Sequence, residues 1–297
     1  MTTLPPSKDR IPATSVIEPP PSGTHHAGGA EELVELSADH PGFADADYRG
    51  RRNEIARLAL DYVEGDPVPE VPYSDEEHDV WRTVWTSLAP LHERYACRAY
   101  VEASSRLSLP RHRIPQLAEV NQGLAAHGAF RMLPVAGLVS ARMFLSYLAR
   151  GIFLSTQYIR HFSVPLYTPE PDVVHELVGH AATFAHPDFV AMSRTFGEAA
   201  LRSQDEETLS HIARLYWFTL EFGVVEEGGR LAAVGAGLLS SFGELGRFET
   251  EARLVPFDVA TIAENPYDPT TYQATLYVAK SLPSMFDATS RYLERLR

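Results

Sequence analysis

Three residues of this chain are of types that could share one metal ion. His175 and His180 lie in the run YTPEPDVVHELVGH (167–180), and Glu221 follows about forty residues later. Two imidazoles and one carboxylate, with coordination positions left open, form the donor set of a non-haem Fe(II) oxygenase. HELVGH resembles the zinc-peptidase signature H-E-x-x-H, but its second His lies five residues on, not four. On a regular α-helix, residues i and i+5 are rotated roughly 140° apart. Both imidazoles can reach one ion only if the turn between them is irregular, and Gly179 tolerates unusual dihedrals. A peptidase would use Glu176 as base beside an i,i+4 pair, and that geometry is absent.

Glu221 sits between Tyr216-Trp217-Phe218-Thr219-Leu220 and Phe222-Gly223-Val224-Val225. A buried carboxylate needs compensation. Metal ligation and an ion pair with Arg214 are both open at this point. Glu226 and Glu227, beyond the apolar run, are expected in solvent. Arg160 and His161 follow another apolar run and would by themselves be a surface charge pair. His25 and His26 belong to a Pro- and Gly-rich stretch and are expected to be solvated. Gly235-Ala236-Gly237 lacks the G-x-G-x-x-G spacing of a dinucleotide site. Either it lines a pocket with Ser240 and Ser241, or it packs closely against a helix. No G-x-S-x-G elbow is present, which argues against a hydrolase triad.

Several elements must position these residues. Residues 1–38 read as a disordered tail, and 39–297 as one domain. A helical pattern through Ile55, Leu58, Ala59 and Tyr62 is stopped by Gly65 and Pro67. Ser74 and Glu77 form a capping-box signature ahead of the stripe Val80, Val84, Leu88 and Leu91, so Trp81 and Trp85 are expected to pack. A short helix is expected within 114–128. Residues 130–139 read as a loop, followed by a helix with Phe144, Leu148 and Ile152 on one face. Further helices are expected over 171–181, 187–202 and 208–227. A short strand, a Gly-rich turn and a helix should follow within 228–248. A strand near 275–278 and a terminal helix close the chain. The sum is a single, mainly α-helical domain with a few short β-strands.

Composition narrows the function classes. The chain has 297 residues, 44% of them hydrophobic, enough for a substantial core. With 26 basic and 39 acidic residues the formal charge is −13, which argues against nonspecific binding to nucleic acid or to an anionic membrane. The single Cys97 excludes an intramolecular disulfide and fits a reducing cytosol. No run of about 18 apolar residues predicts a membrane helix, and no apolar signal core follows the N-terminus. A cytoplasmic protein is expected.

The blocks DHPGF (39–43), IPQL (114–117), FRMLPVAGLVS (130–140), TQYIRH (156–161), YTPEPDVVHELVGH (167–180), LYWFTLEFG (215–223) and GAGLLSSFGEL (235–245) carry a family resemblance. The chain resembles the catalytic domain of the pterin-dependent aromatic amino acid hydroxylases. The resemblance implies Fe(II) held by His175, His180 and Glu221, a tetrahydropterin such as tetrahydrobiopterin as electron donor, and O2 as co-substrate. It implies that Arg160 pairs with the carboxylate of a free aromatic amino acid, supported by Asp172, with Thr168 and Pro169 shaping that end. His175 and Trp217 would flank the ring, and Phe222, Gly237 and Ser240 would complete the pocket. Phe144 would stack on the pterin, near Gly137, Leu138, Val139, Ala213 and Tyr216, with Glu176 facing it across the iron.

The sequence departs from the family pattern at Ala141, at Ala181-Ala182, at Val234 and at Asp268-Pro269, the last in a loop that influences substrate choice among relatives. L-phenylalanine, hydroxylated to tyrosine, is the expected substrate. Tryptophan, meta-hydroxylation or a substituted phenylalanine remain as alternatives, and a zinc hydrolase or a noncatalytic binding protein as more distant rivals. The N-terminal regulatory domain and C-terminal tetramerising helix of animal members are not expected here, so the chain should be monomeric or weakly dimeric.

Overall fold

The first helix, α1 (Ala46–Asp61), starts where Asp45 accepts the amide protons of Asp47 and Tyr48, and it buries Ile55, Ala56 and Ala59. The structure is a computed structural model and describes residues 36–128 and 130–296. The expected disordered tail therefore lies outside the described residues, save for positions 36–38, of which Leu36 is already buried. The capping box is formed: Ser74 Oγ accepts from Glu77 N, and Glu77 accepts from Ser74 N at 2.7 Å. It opens α2 (Asp75–Tyr95), which buries Val80, Trp81, Val84, Trp85 and Leu88. Helices α3 (Arg98–Leu107) and α4 (Leu117–Ala125) follow.

The stretch expected to be a loop contains a strand, β1 (Arg131–Pro134). Helix α5 (Ala141–Ala149) is capped by Ser140 Oγ and ends before Ile152. Gly151 takes φ +68°, a left-handed turn that ends helices. Ile152 then starts β2 (Ile152–Ser155), paired in parallel with β1 at Arg131↔Ile152. Phe144 and Leu148 thus share the helix, while Ile152 does not.

A π-helical segment, π1 (His175–Ala181), replaces the regular helix expected over 171–181. After it come α6 (Pro187–Arg202) and α7 (Glu206–Tyr216), which runs into a second π-helical segment, π2 (Trp217–Glu221). The helix expected over 208–227 stops here. Gly223 passes so close to Thr219 that a Cβ would lie 2.3 Å from its carbonyl oxygen. The β-branched pair Val224-Val225 then enters a strand, β3 (Val224–Glu227). A Gly228-Gly229 turn, both at positive φ, joins it to β4 (Arg230–Ala233) in an antiparallel hairpin, as two-residue hairpin turns demand.

The supposed Gly-rich turn is the start of α8 (Ala236–Ser240), followed by the short helices α9 (Phe242–Leu245) and α10 (Phe248–Glu251). The strand β5 (Arg253–Pro256), the helix α11 (Val259–Glu264), the strand β6 (Thr275–Ala279) and the terminal helix α12 (Leu282–Leu293) complete the fold. The second sheet has the order β4-β3-β6-β5. One apolar cluster extends from α2 through π1, π2 and the sheet to α12. No helix among the described residues is long and apolar enough to cross a membrane.

Candidate active site

The two π segments solve the spacing problem posed by HELVGH. In π1 the Ala182 amide reaches back to the Leu177 carbonyl, an i→i+5 bond. That wider turn returns residue i+5 nearly to the face of residue i. Gly179 contributes in another way than expected. It adopts no left-handed conformation; a Cβ there would lie 2.9 Å from Ala236 Cβ and from its carbonyl oxygen, so glycine lets α8 approach the ligand-bearing turn. In π2, Phe222 N donates to Trp217 O at 2.7 Å, again i→i+5.

The result is one cluster of donors. His175 Nε2 and His180 Nε2 are 3.1 Å apart. Glu221 places Oε1 2.9 Å from His180 Nε2 and Oε2 3.5 Å from His175 Nε2. Cis ligands on bonds of about 2.1 Å stand about 3.0 Å apart, so these donors are spaced to share one first-row metal ion. The ion-pair alternative for Glu221 is not what forms: Arg214 donates to Ala263 O at 2.8 Å instead.

The protonation states suit ligation. Burial holds the His175 imidazole down to about 4, despite the opposing pull of Glu221, so it is neutral at pH 7 with a lone pair to offer. Burial pushes Glu221 up, but His180, His175 and the Tyr216 hydroxyl outweigh it and hold the carboxyl below its ordinary value. Ser240, expected to help complete the pocket, reaches the first imidazole. Its hydroxyl is buried, donates to Ala236 O at 2.7 Å and accepts from His175 Nδ1 at 3.0 Å. That bond fixes the tautomer in which Nε2 faces Glu221 and His180.

Next to the donors lies an ion pair that the sequence alone would leave at the surface. Arg160 and Asp172 are both buried. Asp172 Oδ2 accepts from Arg160 N and Nε, and Oδ1 accepts from Nη2, each at 2.8 Å. Oδ1 also accepts from His175 N at 3.1 Å. One carboxylate therefore holds the guanidinium and the first residue of π1 together. Burial raises Asp172 and Arg160 more than offsets it, leaving the carboxyl below its usual range. Thr168 and Pro169 sit half-buried in the preceding loop, where Thr168 Oγ1 donates to Glu170 O. Glu170 itself pairs with Arg52 and His40.

On the other side, aromatic rings lead away from His180. Phe153 lies 4.5 Å from the His180 ring, and Phe144 packs edge-on against both Phe153 (5.3 Å) and Tyr216 (5.4 Å). Gly137, Leu138 and Val139 form the partly exposed approach to α5, and Ala213 is half-buried one turn before Tyr216. Glu176 is buried and accepts from Thr156 N and Oγ1. Burial pushes its carboxyl up to about 8 against those two bonds, with Glu221 and Asp172 adding to the rise. Phe153 and Thr156 were not singled out by sequence. Thr156 opens the TQYIRH block and was there to be found; Phe153 is one apolar residue among many.

Trp217 is half-buried between Phe222 (4.7 Å) and Tyr267 (4.2 Å, nearly parallel). Gly237 permits the Phe222 ring to lie where its own Cβ would be, 2.4 Å from a ring carbon. Close packing is thus what the geometry shows at this turn.

A candidate non-haem metal site beside a set of packed aromatic rings, on a mainly helical scaffold, is what the fold assembles. The model of the biopterin-dependent aromatic amino acid hydroxylases matches residues 29–297, and the chain belongs to that family. It is 42% identical over 268 residues to tyrosine 3-monooxygenase of Canis lupus familiaris, covering 89% of this chain and 54% of that one. It is 44% identical over 253 residues to phenylalanine-4-hydroxylase of Bos taurus, covering 84% and 56%. The chain thus spans about half the length of these animal relatives. Its fold is similar to a Chromobacterium violaceum phenylalanine hydroxylase structure containing iron(III) and 7,8-dihydrobiopterin, with TM-score 0.73 and 30% identity over 82% of this chain and 89% of that one.

Proposed function

We propose that the chain is a monooxygenase that hydroxylates the ring of free L-phenylalanine to L-tyrosine, using O2, iron and a tetrahydropterin. The observation that carries this reading is the His175, His180 and Glu221 cluster lying directly beside the buried Arg160–Asp172 pair. Such a site offers one metal ion and one fixed cation for a carboxylate ligand. Bound iron and tetrahydropterin supply the activation of O2. Asp172 occupies the Nε–Nη2 side of the guanidinium, and the Nη1–Nη2 side is left to grip the amino acid carboxylate by paired hydrogen bonds. Thr168 and Pro169 shape that end. His175, Trp217, Phe222 and Gly237 flank the ring. Phe144 offers its face to the pterin, with Gly137, Leu138, Val139, Ala213 and Tyr216 around it. Glu176, buried and held by Thr156, would face the pterin across the iron.

A second reading is supported by the tyrosine 3-monooxygenase relatives, which match at an identity similar to the phenylalanine ones. The pocket would then accept another aromatic amino acid or hydroxylate another position. We also expect a monomer or weak dimer, to be checked by light scattering. The deciding experiment is aerobic turnover of the iron-loaded protein with tetrahydropterin and a mixture of phenylalanine, tyrosine and tryptophan, with products resolved by mass and ring position. Tyrosine from phenylalanine supports the first reading. Oxygen gained by another amino acid supports the second. Iron binding without turnover of either amino acid or pterin overturns both.

A further inference from the structure

The residues 265–274 between α11 and β6 form no regular element, yet one side chain ties them to the site. Gln273 Oε1 accepts from Trp217 Nε1 at 2.9 Å. Its Nε2 donates to Asp268 O and Thr271 O, each at 3.0 Å. Its backbone N donates to Glu244 Oε1 in α9 at 2.8 Å. Tyr267, from the same segment, stacks on the Trp217 indole at 4.2 Å. Trp217 in turn belongs to π2, whose last residue is the metal-site carboxylate Glu221.

We propose that Gln273 is a specificity-determining positioning residue: its amide locks the Trp217 indole to the 265–273 segment, so that the two form one rigid wall of the substrate pocket. This rests on reading the site as an aromatic amino acid pocket. The amide works in both directions at once. Its oxygen fixes the rotation of the indole, and its nitrogen folds the loop back so that Tyr267 lies flat against that indole. A ring wider than the natural substrate must displace Trp217, Tyr267 or both, and the amide opposes either movement. An apolar side chain of similar size would leave the indole N–H and two loop carbonyls without partners, and the wall would become adaptable.

The first test is steady-state kinetics of Gln273→Leu against the parent with phenylalanine and tryptophan. Loss of this bond set should raise the KM for the preferred amino acid about tenfold. It should also narrow the phenylalanine-to-tryptophan kcat/KM ratio and increase the tetrahydropterin oxidised per amino acid hydroxylated. Iron content and the KM for tetrahydropterin should stay as in the parent. Gln273→Glu keeps an acceptor for the indole but loses both donations to the loop, and should lie between the two. In a Trp217→Phe background, Gln273→Leu should add little. Unchanged KM and selectivity in Gln273→Leu, or losses that simply add in the double variant, would overturn the proposal.

A readout independent of turnover separates this proposal from the activity reading. The chain has three tryptophans, each giving one indole N–H resonance in the 15N-tryptophan-labelled full chain. Gln273→Leu should shift the Trp217 signal and speed its exchange with water. The Trp81 signal, whose N–H is bound to Pro110 O, should not move. An unmoved Trp217 signal would sink the latch even if the parent is an active hydroxylase. A moved signal would support it even if the parent hydroxylates nothing.

Discussion

The metal side and the ring side of the proposed pocket are held in different ways. On the metal side, His175 Nδ1 is fixed by Ser240, Glu221 meets both imidazoles, and Asp172 ties Arg160 to the start of π1. The three donors sit on two π turns packed against α8, which carries Ser240. On the ring side, Trp217 is half-buried and leans on Tyr267 and Gln273, which belong to a segment without regular structure. The metal side is therefore specified by a few residues at fixed local spacing. The proposed ring side leans on a loop that carries none of the three donors.

Breaking the metal side should cost most. Glu221→Gln removes the anionic donor and places an amide nitrogen or oxygen against two imidazoles. Its loss of iron occupancy and hydroxylation should exceed the about 10–100-fold that follows when a partner behind a ligand is removed. Iron analysis after gel filtration and single-turnover assays would check it; unchanged iron and rate would remove Glu221 from the ligand set. Ser240→Ala falls within that about 10–100-fold range for iron affinity, because His175 keeps its nitrogen but loses its orientation. Competition with a chelator would measure it, and the amino acid KM should stay put.

Asp172→Ala tests the seam between the two sides. It strands a buried guanidinium, and breaking such a pair costs about 3–5 kcal/mol. At about 2–4 °C per kcal/mol for a domain of this size, the thermal midpoint should fall by about 10 °C. The amino acid KM should rise while the tetrahydropterin KM is largely kept. An unchanged midpoint would mean that the Arg160 charge finds another partner.

The same contrast governs what the sequence could reveal. The donor set, the capping box of α2, and the helices over 187–202 and at the C-terminus are local patterns, and each was legible. The π turns were legible only as a conflict: HELVGH has two imidazoles that an α-helix cannot bring together. Glu221 pointed the same way, as a carboxylate in an apolar run. What stayed hidden depends on contacts between distant segments. Gly179 is needed because α8 passes 2.9 Å away. Arg160 looks like a surface cation in its local sequence, and only the family resemblance pointed to Asp172, which meets it in the interior. Val224 and Val225 continue an apolar helical run on paper, and become a strand because β4 and β6 are there to pair with them. Gln273 has nothing in its local sequence to mark it, since each of its four partners, Trp217 and Glu244 outside the loop and Asp268 and Thr271 along it, is brought to it by the fold.

The mildest perturbation probes the ring side through the charge of Glu244. Burial pushes this carboxyl up to about 7, against the bonds it accepts from Gln273 N and Ser241 and the nearby Arg247. In the unfolded chain it returns to its ordinary value near 4.5. Between those pH values the folded protein holds a proton that the unfolded chain has released. The unfolded state therefore gains relative stability as pH rises, and the contribution of this group to folding falls from about pH 4.5 to about 7, then levels off. Glu244→Gln keeps an oxygen for the Gln273 amide and removes the charge. The expected result is a variant whose turnover at its optimum matches the parent, but whose stability declines less between pH 5 and 7. Urea melts at several pH values would measure the difference in slope. Parallel slopes would show that Glu244 ionises normally, and that the loop is anchored by the Gln273 side chain and Tyr267 without help from a protonated carboxyl in α9.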